Sequence, residues 1–200
     1  MQALNDLPPA TRKRLVQLEE LLKSWSGEKI TSAKICELTG WKDSLVRHDL
    51  WLIGNEARGW KNGYSTADLL TTVQSLNREE TQNVCIAGLG RLGAALLDDG
   101  LFSDSQFVIK AGFDSNVNRV EILRSTFPLY PAAEMNWVIK QEKITLAILA
   151  VADKDAQQMC DRLVKAGIKG IVNMTRMVLS VPEGIKIENL SVLNALKMIT

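Results

Sequence analysis

The chain has 200 residues, of which 24 are lysine or arginine and 23 are aspartate or glutamate, so its formal net charge at pH 7 is +1. The near-zero charge excludes a global electrostatic attraction to nucleic acid or to membranes, and the first 80 residues also carry as many acidic as basic side chains. A chain of this length can bury a core in one large domain or in two small ones. Any nucleic-acid surface must therefore arise from local segregation of charge.

Cysteine usage and hydropathy indicate the cellular compartment in which the protein is expected. Three cysteines, Cys36, Cys85 and Cys160, lie far apart within apolar segments and show no metal-ligand spacing. This pattern predicts reduced, buried thiols and no metal site. The chain begins without an apolar signal core and contains no apolar run of about 18 residues that could span a membrane. The sequence therefore predicts a soluble, cytoplasmic protein.

The N-terminal part predicts short helices in the order of a helix-turn-helix. The first helix begins at Pro8-Pro9, because the first turn of a helix has no backbone hydrogen bond to lose. Ser32 is predicted to cap a second helix, which ends at Gly40. Asp43 is predicted to cap a third helix, roughly residues 43–53. Two short helices joined by a tight turn that contains glycine are typical of the helix-turn-helix motif.

The third helix has two distinct faces. Val46, Leu50 and Ile53 form an apolar face that is expected to pack inward. A second face carries polar and aromatic side chains at spacings of i, i+3, i+4 and i+7, next to a lysine: Ser44, Arg47, His48 and Trp51, with Lys42. This strip predicts a recognition helix in the major groove of DNA, with Arg47 reading a guanine edge and His48 or Ser44 reaching a base or a phosphate.

Residues 54–64 predict the wing of a winged helix. Asn62-Gly63 is a hairpin-type turn dipeptide. Arg58 and Lys61 are expected to be exposed on the wing and to bring cations to the DNA backbone or the minor groove. A fourth helix is predicted next, and the short polar segment after it is interpreted as a linker. The sequence thus predicts a winged-helix DNA-binding domain over residues 1–80.

A dinucleotide-binding fingerprint opens the second half of the chain. The short apolar run 84–87 predicts a buried strand and leads into Gly88-x-Gly90-x-x-Gly93, which is followed by good helix formers. Gly88 permits a tight turn, Gly90 lets the backbone approach a pyrophosphate, and Gly93 lets the helix pack close to the strand. The helix N-terminus would then face the phosphates. The predicted cofactor-binding residues of this loop are Gly88, Leu89, Gly90, Arg91, Leu92 and Gly93.

Asp114 is the second element of the fingerprint. It ends a second apolar strand, residues 107–113, about 20 residues beyond the last glycine, where a carboxylate can accept hydrogen bonds from a ribose hydroxyl. Its negative charge would repel a 2′-phosphate, so the predicted cofactor is NADH or NAD⁺. Strands and helices then alternate, with Asp153 predicted to cap a helix. The sequence predicts an α/β Rossmann-type domain over residues 81–189 and an apolar helix over 190–200 that docks on a partner subunit.

This order of elements resembles the Rex family of redox-sensing transcriptional repressors. The resemblance covers nearly the whole chain and rests on these segments: Pro8 to Leu15, Val46-Arg47-His48-Asp49-Leu50, Arg58-Gly59, Gly63-Tyr64, residues 88–96, Gly112-Phe113-Asp114, residues 166–173 and Val181-Pro182. It implies a homodimer with a swapped C-terminal helix. It also implies that the protein binds a palindromic operator when NADH is scarce and releases it when NADH binds between the domains.

The sequence departs from the family pattern at several positions. The first helix looks about one turn shorter, and His48 stands where the family usually has lysine. The other departures are Asp99 in place of a tyrosine, Val151-Ala152 in place of Val-Pro, Asn173-Met174-Thr175-Arg176 in place of Asn-Phe-Ala-Pro, and Leu190-Ser191 where an aspartate usually follows the last asparagine. These lie on the nicotinamide side. We expect the ADP half of the nucleotide to be held normally and redox discrimination to be weakened or altered, with Arg176 entering the pocket.

Two other functions stay open from the sequence. A dehydrogenase is disfavoured, because the single histidine, His48, belongs to the N-terminal module and no Lys–His or Tyr–Lys set surrounds the fingerprint. Asp99 and Asp153 could serve as acids, but a surface carboxylate and a helix cap explain them better. The second alternative is a nucleotide-binding protein without DNA recognition, or one that binds another ADP-containing ligand such as coenzyme A. The balanced charge of the N-terminal part keeps this alternative open.

Overall fold

The structure of the protein is a computed structural model that describes residues 7–54, 63–76, 81–103 and 105–200. Contacts between residues divide the chain into two compact units, Met1–Glu79 and Glu80–Thr200. The wing expected between residues 54 and 64 lies for the most part outside the described residues, and so do its two cations, Arg58 and Lys61.

The first unit is built from helices and one small sheet. Its elements are α1 (Pro9–Ser24), β1 (Lys29–Ile30), α2 (Ser32–Thr39), α3 (Asp43–Leu52), β2 (Tyr64–Ser65) and α4 (Thr66–Leu76). Strands β1 and β2 pair in antiparallel fashion. The core contains apolar residues from every helix, among them Leu15 of α1, Ile35 of α2 and Leu50 of α3, each at most 1% exposed. The apolar periodicity of the sequence therefore predicts the buried faces of this unit well.

Two helix starts differ from the sequence prediction. The N-cap of α2 is Thr31 and not Ser32, because the Thr31 hydroxyl accepts a hydrogen bond from the N–H of Lys34 (3.1 Å). Asp43 is the first residue inside α3 and does not cap it. Its carboxylate instead pairs with Arg47 one turn later, with 2.8 Å between Oδ2 and Nε. An acidic group in the first turn still complements the positive end of the helix.

The second unit is a parallel six-stranded sheet with helices between the strands. Its strands are β3 (Gln82–Ala87), β4 (Phe107–Asp114), β5 (Leu129–Pro131), β6 (Leu146–Leu149), β7 (Gly170–Asn173) and β8 (Lys186–Asn189). Its helices are α5 (Arg91–Ala94), α6 (Val117–Ile122), α7 (Met135–Gln141), α8 (Ala156–Ala166) and α9 (Val192–Ile199). The strand order β5-β4-β3-β6-β7-β8 is that of a Rossmann sheet, so the predicted α/β fold is confirmed.

The sheet is covered on both faces. One buried cluster includes Phe113, Leu149 and Leu163 of α8, and the other includes Ile86, Leu89 and Leu97. The chain order reverses between β3 and β6, which lie side by side at the centre of the sheet. Ligands of open α/β sheets bind in the crevice at the carboxyl ends of the strands that flank such a reversal. The fold therefore predicts a ligand site among the loops that follow β3, β4 and β6.

The C-terminal helix α9 is the element with the most exposed apolar side chains. The exposed residues on it and just before it are Leu190, Val192, Leu193, Leu196, Met198 and Ile199, and none of the residues of α9 is buried. Among the described residues, no helix is long and apolar enough to cross a membrane.

Candidate nucleotide cavity and recognition helix

A cavity of about 590 Å³ lies at the carboxyl ends of β3, β4 and β6. Three loops and one face of α8 line it. The lining residues are Gly88, Gly90, Asp114, Ser115, Asn116, Arg119, Ala150, Val151, Ala152, Asp155, Gln158, Met159 and Arg162. The cavity thus occupies the crevice where the strand order reverses, and it lies entirely within the second unit.

Two of the three glycines of the loop are required by close backbone contacts, and the third borders open space. A Cβ on Gly88 would lie 2.7 Å from backbone atoms of Ala150, and the φ angle of Gly88 is +99°. A Cβ on Gly93 would lie 1.8 Å from the carbonyl oxygen of Gly88, so only glycine lets this turn pack so closely. A Cβ on Gly90 would meet nothing within 4 Å, although Gly90 lines the cavity. The open space at Gly90 is where a ligand can approach the backbone.

The helix after the glycine loop is shorter than the sequence predicts. The segment 91–97 favours helix, but α5 ends at Ala94, and the next backbone hydrogen bonds run from Leu96 to Gly93 and from Leu97 to Ala94. These i→i+3 bonds tighten the chain into turns. A four-residue helix has only a small macrodipole, so the N-terminus of α5 attracts phosphates less strongly than the sequence predicts. The N–H groups of Arg91 and Leu92 still have no acceptor within the helix.

Asp114 joins two of the three loops that line the cavity. Its Oδ2 accepts a hydrogen bond from the N–H of Leu89 (2.7 Å), and its Oδ1 accepts one from the N–H of Asn116 (2.7 Å). The Nη1 of Arg119 lies 3.3 Å from Oδ2. Asp114 is 6% exposed. A carboxylate has about four acceptor positions, so three contacts leave room for one ligand hydroxyl.

The sequence patterns did not predict six polar residues that line the cavity: Ser115, Asn116, Arg119, Asp155, Gln158 and Arg162. Arg119 follows Asp114 by five residues on α6. Gln158 and Arg162 lie one turn apart on one face of α8, Asp155 directly precedes the helix, and the guanidinium of Arg162 donates to the carbonyl of Ala132. The i, i+4 spacing of Gln158 and Arg162 is a sequence signal that places these two side chains on the same face of α8. The cavity therefore contains two guanidinium groups as well as two carboxylates.

Asn173, the last residue of β7, organises the loop that follows this strand. Asn173 is fully buried, and its amide donates to the carbonyl of Met177 (2.8 Å) and to Oδ1 of Asn189 (2.9 Å). Its Oδ1 accepts hydrogen bonds from the N–H and the hydroxyl of Thr175. These bonds hold the loop after β7 in place. The side chain of Asp99, a further departure from the family pattern, lies outside the described part of the chain.

Arg176 pairs with an acid and is not among the cavity residues. Its Nε and Nη2 lie 2.7 and 2.6 Å from Oδ2 of Asp153, and its N–H donates to Oδ1 (3.1 Å). The prediction that Asp153 caps a helix was wrong, because its carboxylate turns to Arg176 and a 3₁₀ turn precedes α8. The N–H and guanidinium of Arg176 lower the pKa of Asp153, which keeps the carboxylate ionised.

The predicted DNA-reading strip lies along α3 and is exposed. Lys42, Ser44, Arg47, His48 and Trp51 all face solvent in the first unit. The rings of His48 and Trp51 have centroids 6.1 Å apart. The opposite face carries Val46 and Leu50, which are 2% and 1% exposed. The helix therefore has one face packed in the core of the first unit and one face exposed to solvent.

A buried ion pair fixes α3 against α1. Asp49 is 3% exposed, and it accepts hydrogen bonds from Nη2 of Arg14 (2.8 Å) and from the hydroxyl of Thr11 (3.0 Å). The Nε of Arg14 also donates to the second oxygen of Asp49, and this bond raises the pKa of Arg14. The Nδ1 of His48 lies 3.7 Å from Oδ1 of the same carboxylate. Sequence reasoning missed this pair, which joins residues 35 positions apart.

The structure brings some of the predicted residues together and separates others. Of the predicted cofactor residues, Gly88, Gly90 and Asp114 line the cavity, and Leu89, Arg91, Leu92 and Gly93 do not. Leu89 is buried, and its N–H is already used by Asp114. In the described ranges, no group of three or more His, Cys, Asp or Glu side chains could hold a metal ion.

Comparison with known proteins identifies the family. A family model described as CoA binding domain matches residues 79–177. The redox-sensing transcriptional repressor Rex of Limosilactobacillus reuteri is 32% identical over 196 residues, which cover 96% of this chain and 91% of that protein. Its counterpart from an Exiguobacterium species is 34% identical over 189 residues, which cover 92% and 86%. The chain belongs to the Rex family.

Solved Rex-family structures match both units. The crystal structure of RSP, a Rex-family repressor, superposes with a TM-score of 0.84 at 28% identity and covers 96% of this chain and 91% of its own. RSP in complex with β-NADH also gives 0.84, with 96% and 92% coverage at 28% identity. RSP in complex with β-NAD⁺ and operator DNA gives 0.83, with 96% and 90% coverage at 26% identity. The Rex-family resemblance inferred from the sequence is confirmed.

Proposed function

We propose that this protein is a transcriptional repressor whose binding to operator DNA responds to NADH and NAD⁺. One observation carries the proposal: the match to relatives named redox-sensing transcriptional repressors runs through 96% of the chain and so includes both units. The RSP structures with β-NADH and with β-NAD⁺ and operator DNA support the same two ligands. Each unit then supplies one function, DNA reading in the first and nucleotide binding in the second.

For the nucleotide, we propose that the cavity holds the ADP half of the molecule through the glycine loop and Asp114. The open space at Gly90 suits a pyrophosphate, and the N–H groups of Arg91 and Leu92 can donate to it. Asp114 can accept one ribose hydroxyl with its remaining acceptor position. The nicotinamide ring supplies the signal, since it is a cation when oxidised and neutral when reduced. Leu89, Leu92 and Gly93 contribute backbone geometry.

For DNA, we propose that the exposed strip on α3 enters the major groove. Arg47 is assigned to a guanine edge, which guanidinium groups contact in bidentate fashion. Its ion pair with Asp43 is more than half exposed on both sides, and such surface pairs contribute little, so DNA can displace it. Lys42, Ser44, His48 and Trp51 complete the strip, and Arg58 and Lys61 are assigned to the wing as backbone contacts.

Regulation requires a second copy of the chain. We propose a homodimer in which the exposed apolar side chains of α9 dock on the partner, as the family resemblance implies, with half-sites about one helical turn apart. NADH must favour one arrangement of the dimer over the other, since equal affinity for both would shift nothing. We also infer a cytoplasmic location and no enzymatic activity, because the relatives are named repressors.

The proposal is tested with a palindromic duplex that the wild-type chain selects from a randomised library. In fluorescence anisotropy, Arg47→Ala should weaken binding by about 1–3 kcal/mol, or about 5- to 150-fold. Lys165→Ala, which removes an exposed positive charge from the second unit, is the matched control and should bind as wild type. Asp114→Asn should bind the duplex normally but should need more NADH for release. Failure of the wild type to select any duplex at low salt contradicts the proposal.

A second candidate is a protein that binds an ADP-containing ligand without DNA recognition. Two observations favour it: the match to the CoA binding domain model and the presence of Arg119 and Arg162 in the cavity, where they could meet additional phosphates. Calorimetry with ADP, NADH and coenzyme A separates the two candidates. The second candidate predicts that coenzyme A binds at least as tightly as NADH and that no duplex is selected.

A further inference from the structure

Arg176, one of the departures from the family pattern, forms an ion pair with Asp153. Asp153 follows the Val151-Ala152 segment after β6, and Arg176 follows Asn173 at the end of β7. The guanidinium binds Oδ2 of Asp153 through two nitrogens, and the N–H of Arg176 binds Oδ1. Strands β6 and β7 are parallel neighbours, so both residues lie at the edge of the sheet that carries the cavity. The pair joins two loops and balances one charge with another.

The pair lies at the carboxyl ends of β6 and β7, whereas Asp114 lies at the carboxyl end of β4, on the other side of β3. The connection from β6 to α8 lines the cavity through Ala152 and Asp155, the residues that flank Asp153 and its neighbour Lys154. If Asp114 holds the adenosine ribose beyond β4, the other half of a dinucleotide extends past the glycine loop toward β6, as in other sheets with this order. The nicotinamide half therefore reaches the neighbourhood of Asp153.

Charge is the property that separates the two forms of the ligand. The oxidised ring carries a positive charge, and the reduced ring does not. A lone carboxylate near the ring would favour the oxidised form, and a lone guanidinium would disfavour it. Asp153 with Arg176 presents no net charge, whereas either residue alone would. Asp155 contributes a further negative charge to the cavity lining. Lys154, the residue between Asp153 and Asp155, is exposed.

We propose that the Asp153–Arg176 ion pair sets the preference of this cavity between the reduced and the oxidised dinucleotide, by cancelling a charge that would otherwise act on the nicotinamide. The inference rests on the proposed function, since it assumes that a nicotinamide dinucleotide binds here. Asp153 and Arg176 are specificity-determining residues in this scheme. They act through their electric field, and holding the ADP half of the ligand does not require them.

The test measures the dissociation constants of NAD⁺, NADH and ADP by calorimetry for a set of full-length variants. Arg176→Ala should lower the NAD⁺/NADH ratio of dissociation constants by about three- to tenfold, because Asp153 is then uncompensated. Asp153→Asn should raise the ratio by a similar factor. The double variant should return to within about twofold of wild type, and added salt of about 0.5 M should shrink both shifts.

Two controls separate this effect from general loss of structure or charge. ADP lacks the nicotinamide, so its affinity should stay within about twofold in every variant, which also reports an intact fold. Lys154→Ala removes a neighbouring positive charge that lies outside the pair and should change the ratio less than Arg176→Ala does. The inference is overturned if Arg176→Ala and Lys154→Ala change the ratio equally, or if Arg176→Ala weakens both dinucleotides by the same factor. Wild type that binds ADP but neither dinucleotide, or none of the three, overturns the proposed function as well.

Discussion

Helix α3 and the loops around Gly88 each have one buried carboxylate among the described residues, Asp49 and Asp114, and the two are hydrogen-bonded in different ways. Asp49 receives its hydrogen bonds from the side chains of Arg14 and Thr11 on another helix. Asp114 receives two of its bonds from backbone N–H groups, those of Leu89 and Asn116. The position of α3 therefore depends on the identity of distant side chains. The shape of the nucleotide cavity depends mainly on where the backbone can pass.

This difference predicts that the first unit is the more sensitive to loss of a single cation. Arg14→Met removes the partner of a carboxylate that is 3% exposed and should destabilise the first unit by about 3 kcal/mol or more, because an unpaired buried charge is left behind. Urea denaturation followed by tryptophan fluorescence measures it, since Trp25, Trp41 and Trp51 lie in this unit.

The neighbouring exposed lysine provides the control for that measurement. Lys13→Met removes the same charge from the surface of α1 and should change stability by less than about 0.5 kcal/mol. Adding Asp49→Asn to Arg14→Met should recover part of the loss, because the unpaired charge disappears. Equal destabilisation by Arg14→Met and Lys13→Met would refute the role given to the buried pair.

The glycine loop should respond to a methyl group and not to a charge. Gly93→Ala would bring a Cβ to 1.8 Å from the carbonyl of Gly88 and should destabilise the second unit by about 1–3 kcal/mol. Gly90→Ala meets nothing within 4 Å and has an ordinary φ of −68°, so its unfolding free energy should change by less than about 0.5 kcal/mol. Its methyl group would nevertheless enter the space that a ligand needs.

Two readouts on the same pair of variants test this contrast. Far-UV circular dichroism in urea reports unfolding, and calorimetry with ADP reports the cavity. We expect Gly93→Ala to lose stability and Gly90→Ala to lose ADP affinity at unchanged stability. If Gly90→Ala binds ADP as well as wild type does, the assignment of the pyrophosphate to this loop is wrong.

The sequence predicts most of the fold because its signals are local. Apolar runs that end in glycine mark β3 and the turn after it, and the spacing of apolar residues separates the two faces of α3. Gly40 ends α2 as expected, in the left-handed conformation, and Gly167 ends α8 in the same way. These features depend on residues a few positions apart. Local reasoning is sufficient for them.

Contacts between residues far apart in the chain are not predictable from local sequence patterns. Asp153 sits where a cap is expected, but Arg176, 23 positions later, takes its carboxylate. The family pattern predicts Arg176 in the pocket, whereas the side chain pairs with Asp153, a contact that the sequence does not reveal. The pairing of Arg14 with Asp49 is likewise not predictable from the sequence, although both residues belong to segments that carry the family resemblance. The spacing of residues along one element cannot reveal such contacts.

The smallest expected effect concerns the cysteines, which allow the two units to be compared in one experiment. Cys36 in α2 is half-buried, and its pKa is raised first by burial and then by Asp43. Burial raises the pKa of Cys85 in β3 to about 12. At pH 8 only roughly one Cys85 in ten thousand would be a thiolate even without steric protection. Cys160 in α8 is also buried, and its pKa is raised chiefly by burial.

A thiol-reactive dye at pH 8 should therefore label one site per chain slowly in the native protein, and Cys36→Ser should remove that phase. Cys85 and Cys160 should react only when the second unit unfolds. Because ADP would bind the folded second unit and not its unfolded form, saturating ADP should slow labelling of these two sites in proportion to 1 + [ADP]/Kd and leave Cys36 unaffected. Equal slowing at all three sites would mean that the two units unfold together, so that the effect of a substitution on one unit could not be measured separately from the other.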